Sequence, residues 1–143
     1  MKVVEGDLLK LAKDFDVIVH GCNCHHTMGA GIARQIKRKY PQAFEADKTT
    51  VKGHPGKLGH ISQAVIDHSL TVVNAYAQFN LGPDLRLDAL RACFRKIKQL
   101  HSGKRIAYPR IGAGLAGGDW EVISKIIDEE LEGEDHTLVE YKK

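Results

Sequence analysis

Asp16-Val-Ile-Val-His-Gly-Cys-Asn-Cys-His-His-Thr-Met-Gly-Ala-Gly-Ile-Ala33 decides how this chain is read. Its first residues form a short apolar run of the kind that makes a buried central strand. From Ala30 the apolar positions Ile32, Ala33, Ile36 and Tyr40 recur at helical spacing, until Pro41 interrupts or restarts the pattern. Between strand and helix, Gly29-Ala-Gly31 feeds a helix N-terminus, where unpaired amides and the helix dipole favour a phosphate. Glycine matters there because a Cβ would block the approach of backbone to anion. Taken alone, the pattern is also that of a tight turn.

A second segment repeats the logic. Pro109-Arg-Ile-Gly-Ala-Gly-Leu-Ala-Gly-Gly-Asp-Trp120 follows a short strand, Arg105 to Pro109, and leads into a helix, Trp120 to Leu131. Consecutive amides in glycine-rich turns form anion-binding nests, and two such nests facing each other can clamp a diphosphate. Neither loop carries the G-x-x-x-x-G-K-[ST] pattern of nucleotide triphosphatases.

The remaining elements fit around these loops. Val3 and Val4 open a first strand, and Leu8 to Phe15 predict a helical turn or two. Runs at residues 59–66 and 70–77, separated by Asp67-His-Ser69, predict two adjacent strands in a hairpin. Leu87, Leu90, Cys93, Phe94, Ile97 and Leu100 form a helical stripe within Leu85 to Leu100, and Thr137 to Tyr141 closes the chain as a strand. Strands alternating with helices imply an α/β sheet covered on both faces, with ligands at the carboxyl ends of the strands.

Composition bounds the classes. At 143 residues, 43% hydrophobic and 27% charged, the chain reads as a single domain, residues 1–143, able to bury a core unaided. No stretch approaches the roughly 20 apolar residues of a membrane span, and the N-terminus lacks the pattern of a secretory signal, so the expected setting is cytoplasmic with no membrane partner. Three cysteines, Cys22, Cys24 and Cys93, do not read as a disulfide framework. The charge of +3 collects around Arg34 to Lys39 and Arg91 to Lys98, both on amphipathic helices. A solvated face explains such clusters, so a nucleic-acid partner is not expected.

Glu5-Gly-Asp-Leu-Leu9, Val19-His-Gly-Cys-Asn-Cys24 with Met28-Gly-Ala-Gly-Ile-Ala33, and Pro109-Arg-Ile-Gly-Ala-Gly-Leu115 together resemble the macrodomain family in order and spacing. The likeness spans nearly the whole chain and is strongest to the compact branch related to ADP-ribose 1''-phosphate phosphatases. It implies a three-layer α/β/α fold with a mixed, largely parallel sheet and an ADP-ribose cleft. It further implies that Asp7, beside Leu8, accepts a hydrogen bond from the adenine amine, and that Asn23 contacts the distal ribose and helps position a water. Gly29, Ala30, Gly31 and Ile32 match the first phosphate loop and Ile111, Gly112, Ala113, Gly114 and Leu115 the second, with Cys22, Met28 and Pro109 also expected among the ligand-binding residues. Read without the family, Asp7 is a helix N-cap and Asn23 a turn former.

The sequence departs from one branch of the family. Where that branch has an aspartate after the Gly-Leu of the second loop stands Ala116, and its lysine has no counterpart in Gln78-Phe-Asn80. A covalent lysine route is therefore not expected. Asn23, His25 and Asp119 are the catalytic candidates, histidine being suited to proton transfer at neutral pH. His25 also reads as an exposed loop residue, Asp119 as a helix cap and His20 as a satisfied core histidine. Cys22, Cys24, His25 and His26 lack a second ligand group at zinc spacing, so no metal and no cofactor are expected. The expected ligand is ADP-ribose or ADP-ribose 1''-phosphate, with hydrolysis of the latter to ADP-ribose and phosphate. Two alternatives stay open: a reader of ADP-ribose without turnover, and a hydrolase that strips ADP-ribose from a modified protein or nucleic acid.

Overall fold

The computed structural model describes residues 1–141. Six strands form one sheet: β1 (Lys2–Glu5), β2 (Val17–Cys22), β3 (Ile61–Asp67), β4 (Leu70–Tyr76), β5 (Arg105–Tyr108) and β6 (Asp135–Glu140). Their spatial order is β1-β6-β5-β2-β4-β3, and only the β3–β4 pair is antiparallel. The α-helices among the described residues are α1 (Gly31–Lys39), α2 (Pro41–Lys48), α3 (Leu87–His101) and α4 (Trp120–Glu130). This is the expected mixed, largely parallel α/β sheet with helices on both faces.

Period-two alternation sorts the strand side chains between the faces. Val17 and Val19 of β2, Val73 and Ala75 of β4, and Ile106 and Tyr108 of β5 pack with Leu90, Phe94 and Ile97 of α3 and Ile123 and Ile127 of α4. Ile18, Val72 and Ala107, one residue out of phase, pack with Ile36 of α1 and Tyr40 and Ala43 around the start of α2. Burial on both sides explains why β2 reads as an unbroken apolar run.

Pro41 restarts the helical pattern rather than ending it: it occupies the first turn of α2, where a missing N–H costs nothing. Leu8 to Phe15 differs from expectation. Asp7 Oδ1 accepts from the amides of Leu9 and Lys10, but the chain then tightens into a single 3₁₀ turn at Ala12–Asp14 and turns into β2. Only Leu8, Leu9 and Ala12 are fully buried there, too few anchors for a longer helix. The basic clusters are accounted for by the fold. Lys37, Arg38 and Lys39 occupy the last turn of α1, where the dipole favours cations, and Arg91 and Arg95 pair with Glu130 of α4.

The topology sets the site. From β2 the chain moves outward to β3 and β4, then returns through α3 across β2 to β5, so the segments leaving β2 and β5 diverge at neighbouring carboxyl ends. Such a reversal of strand order opens a crevice that ligands occupy.

Candidate functional site

The crevice between those two segments is a cleft of about 180 Å³. Ala30, Gly31, Ile32 and Ala33 form one wall, Gly112, Gly114, Leu115 and Ala116 the other, and Gly21, Cys22 and Asn23 the floor. The amides of the first wall belong to the cap and first turn of α1, whose earliest internal bond is Arg34 N to Ala30 O. Helix geometry leaves them without partners inside the helix. On the second wall, the amides of Gly112, Gly114, Leu115 and Ala116 donate to no acceptor among the described residues. Two rows of unspent N–H donors thus line one cleft. A Cβ built on Gly31 or Gly114 would meet nothing within 4 Å, so backbone on both sides faces open space.

The second loop is held shut from behind. Gly118 N donates to Gly112 O at 2.7 Å and Gly117 N to Gly114 O at 3.0 Å, closing the loop before α4 begins. Gly112-Ala-Gly-Leu-Ala-Gly117 also has the G-x-G-x-x-G spacing of dinucleotide-binding turns, here met by a loop that closes on itself rather than running directly into a helix. Asp119 caps α4, its Oδ1 accepting from Glu121 N at 2.9 Å. Replacing Asp119 with alanine is expected to cost about 1 kcal/mol in chemical denaturation while leaving ligand affinity unchanged; a lost activity at unchanged affinity would instead mark Asp119 as part of the chemistry.

Side chains at the floor offer acceptors. Asn23 Nδ2 donates to Thr27 Oγ1 at 2.6 Å, and its Oδ1 accepts from His25 N at 2.8 Å, which leaves one lone pair of that oxygen. Gln78 also lines the cleft. Both protons of its amide are taken by the carbonyls of Asn80 at 2.7 Å and Gly82 at 3.1 Å, so Oε1 is left as an acceptor. Arg110 is the one charged residue of the lining, and it is engaged by Glu140 and sits over Trp120. Burial pushes the Cys22 thiol well above its ordinary range, which removes it as a thiolate.

Of the residues expected from sequence, Cys22, Asn23, Ala30, Gly31, Ile32, Pro109, Ile111, Gly112, Gly114 and Leu115 line this cleft together. Leu8 and Met28 instead lie in the core beneath α1, packed with Ile18 and Ile36. Gly29 and Ala113 flank the walls, and Asp7 follows β1 at the same carboxyl edge of the sheet. His25 stands outside the lining, with Nε2 3.2 Å from Asn80 Oδ1 and its ring edge-on to Phe79. Gly21, Thr27, Ala33, Gln78, Leu81, Arg110 and Ala116 line the cleft without having been singled out as binding residues. For Gln78 the sequence offers only a polar residue shortly after the buried run of β4, which by itself does not point to the cleft.

Residues 19–127 match the family described as Macro domain, and the chain belongs to that family. It is 37% identical over 136 residues to an uncharacterised 17.5 kDa protein of Enterobacteria phage T4, covering 90% of this chain and 88% of that one. It is 31% identical over 127 residues, 84% of its length, to a DNA ADP-ribosyl glycohydrolase of Mycobacterium tuberculosis, of which it spans 35%. A 41-residue stretch, 29% of this chain and 20% of the other, is 49% identical to an ADP-ribose 1''-phosphate phosphatase of Aspergillus fumigatus. The solved macrodomain of Mycobacterium tuberculosis DarG superposes with a TM-score of 0.77 at 26% identity, covering 99% of this chain and 97% of that one.

Proposed function

We propose that the cleft binds ADP-ribose and hydrolyses ADP-ribose 1''-phosphate to ADP-ribose and phosphate. The observation that carries the binding is the pair of facing walls built from unpartnered amides, Ala30 to Ala33 on one side and Gly112 with Gly114 to Ala116 on the other. Such donors match the oxygens of a diphosphate, and the positive end of α1 adds to the attraction.

The diphosphate anchors the rest. β1 and β2 are three strand spacings apart, roughly 14 Å, a span suited to an adenosine reaching from the cleft toward Asp7. Asp7 uses Oδ1 to cap its own turn, and Oδ2 accepts from the adenine amine. In the other direction the distal ribose meets Asn23 and Gln78, whose remaining capacity is to accept, as ribose hydroxyls and a water require.

The lining contains no Lys, His, Asp or Glu, Cys22 is held as a thiol, and the Thr27 hydroxyl is held by Asn23 with no base in the lining to activate it, so no side chain there supplies an activated nucleophile. Water attacks C1'' instead, oriented by Asn23 and Gln78; its oxygen bonds to C1'' as the bond from C1'' to the phosphate oxygen breaks, the amides balance charge on the departing phosphate, and that phosphate takes up the water's proton. His25 contributes through its backbone N–H, which fixes Asn23 from behind.

A second reading, release of ADP-ribose from modified nucleic acid, is favoured by the longer of the two enzyme matches. One set of assays separates the readings. Calorimetry is expected to detect ADP-ribose binding, and ADP-ribose 1''-phosphate to release phosphate above a no-enzyme control. Gln78→Ala is expected to lower kcat about tenfold with affinity nearly unchanged. Release of ADP-ribose from a modified oligonucleotide without phosphate release would select the second reading, and binding with neither would leave a reader.

A further inference from the structure

At the same carboxyl edge of the sheet, where β4 ends at Tyr76 and β3 begins at Ile61, the segment around Lys57 covers a second cavity of about 290 Å³. Its polar lining is Thr50, His54, Lys57, His60 and Tyr76, with no carboxylate among the lining residues. From Lys48 to Ile66 the chain has no acidic residue at all, although it carries three lysines and two histidines.

Lys57 is the unusual member. It is only 7% exposed, yet makes no ion pair among the described residues. Its Nζ donates to Cys24 O at 3.1 Å and lies over the Tyr76 ring, 4.7 Å from the centroid. An ammonium has three protons to place, and a buried cation is costly unless its charge is met. Asp47 is the buried acid of this region, but it accepts from the hydroxyl of Tyr76 at 2.7 Å and does not reach Lys57 within 4 Å. The two imidazoles add to the imbalance. His54 Nδ1 accepts from Gly56 N at 2.8 Å, and His60 Nδ1 stands 3.0 Å from Lys96 Nζ, which can only donate. In each neutral ring the proton therefore sits on Nε2, so both rings carry an N–H donor beside the same cavity.

We propose that this cavity is a second anion site, distinct from the cleft, which binds a phosphate group through Lys57 with His54 and His60. The apolar surface of Val51 and Ile61 suits a phosphate monoester, and the donors alone suit the free ion. The site is tied to the cleft through Cys24, whose carbonyl holds Lys57 and whose neighbour Asn23 lies on the cleft floor. An incoming anion takes the Lys57 protons that this carbonyl leaves free.

The test follows backbone amides and histidine ring protons of the whole chain by NMR during titration with inorganic phosphate and, separately, phenyl phosphate. It is run on the free protein and repeated with ADP-ribose present, so the second site is read whether or not the cleft binds that ligand. Saturable shifts at residues 53–61 are expected, with His54→Ala and His60→Ala, both exposed positions, each weakening binding roughly tenfold. Tighter binding of phenyl phosphate identifies a monoester site, and equal binding a site for the ion. Shifts confined to residues 30–33 and 112–116, or unchanged affinity in both histidine variants, would overturn the proposal. Lys57→Met is expected to abolish the shifts if it folds, and the histidine variants decide the matter if it does not.

Discussion

Replacing Gly118 with alanine is expected to weaken ADP-ribose binding about a hundredfold and to destabilise the fold by about 1–3 kcal/mol. The residue does not line the cleft, but an added Cβ would stand 2.6 Å from Gly112 O and 2.8 Å from Ile123 Cδ1. The side chain of Ile123 can move; the carbonyl is backbone, and it accepts from Gly118 N at 2.7 Å to close the second loop. Making room means opening that closure, which swings Gly112 and the amides of Gly114, Leu115 and Ala116 away from the opposite wall. Charge-assisted hydrogen bonds contribute about 1.5–3 kcal/mol each, so the loss of one to two of them matches the stated effect. Asp119→Ala is the matched control, since it removes the adjacent helix cap without entering the loop. Calorimetry of the two variants side by side checks the expectation. Wild-type affinity in Gly118→Ala would mean that the second loop does not hold the diphosphate.

The same contrast between local pattern and tertiary placement governs how much could be read from the sequence. β2 and α3 were legible because burial is written into them, β2 as an uninterrupted apolar run and α3 as a stripe from Leu90 to Ile97. The two loops were legible because each is a glycine cluster between a strand and a helix. Gln78 and Leu81 were not, since they reach the cleft only because the segment after β4 folds back, with Gln78 bridged to Leu85. Lys57 reads as a loop lysine in a polar stretch, and nothing local announces its burial over Tyr76. Asn23 and Asp7 have in the fold the turn and cap roles read without the family. Each satisfies its own turn with part of its hydrogen-bonding capacity and retains the remainder.

The fold is also expected to lose stability as pH falls from about 6.5 toward 4, largely through His20. This residue is fully buried on β2, and burial pulls its pKa from 6.5 to about 4, against the partial opposition of its hydrogen bond to Asn74. Its Nε2 lies 2.6 Å from Asn74 Oδ1, because Asn74 spends its amide protons on Ala43 O and Ser62 Oγ. The chain runs on from Ser62 to the hydroxyl of Tyr76 and ends on Asp47, so donors point one way and each buried polar side-chain atom of this network has a partner. A protonated ring would bring a second N–H, which faces only the weakly accepting Cys22 sulfur 3.8 Å from Nδ1, and a charge that the attraction of Asp47 offsets only in part. Between the two pKa values the unfolded chain therefore takes up a proton that the folded one refuses. Stability is full above about pH 6.5 and declines on acidification, by about 3 kcal/mol at pH 4 from this one group. Burial also lowers the pKa values of His101 and His136, which adds to the slope with the same sign. Urea denaturation at intervals between pH 4 and 8 measures the decline. His20→Gln keeps a donor for Asn74 but cannot titrate, and is expected to remove the largest part of it. A slope unchanged in that variant would transfer the acid sensitivity to the other histidines and leave the buried network without a role in it.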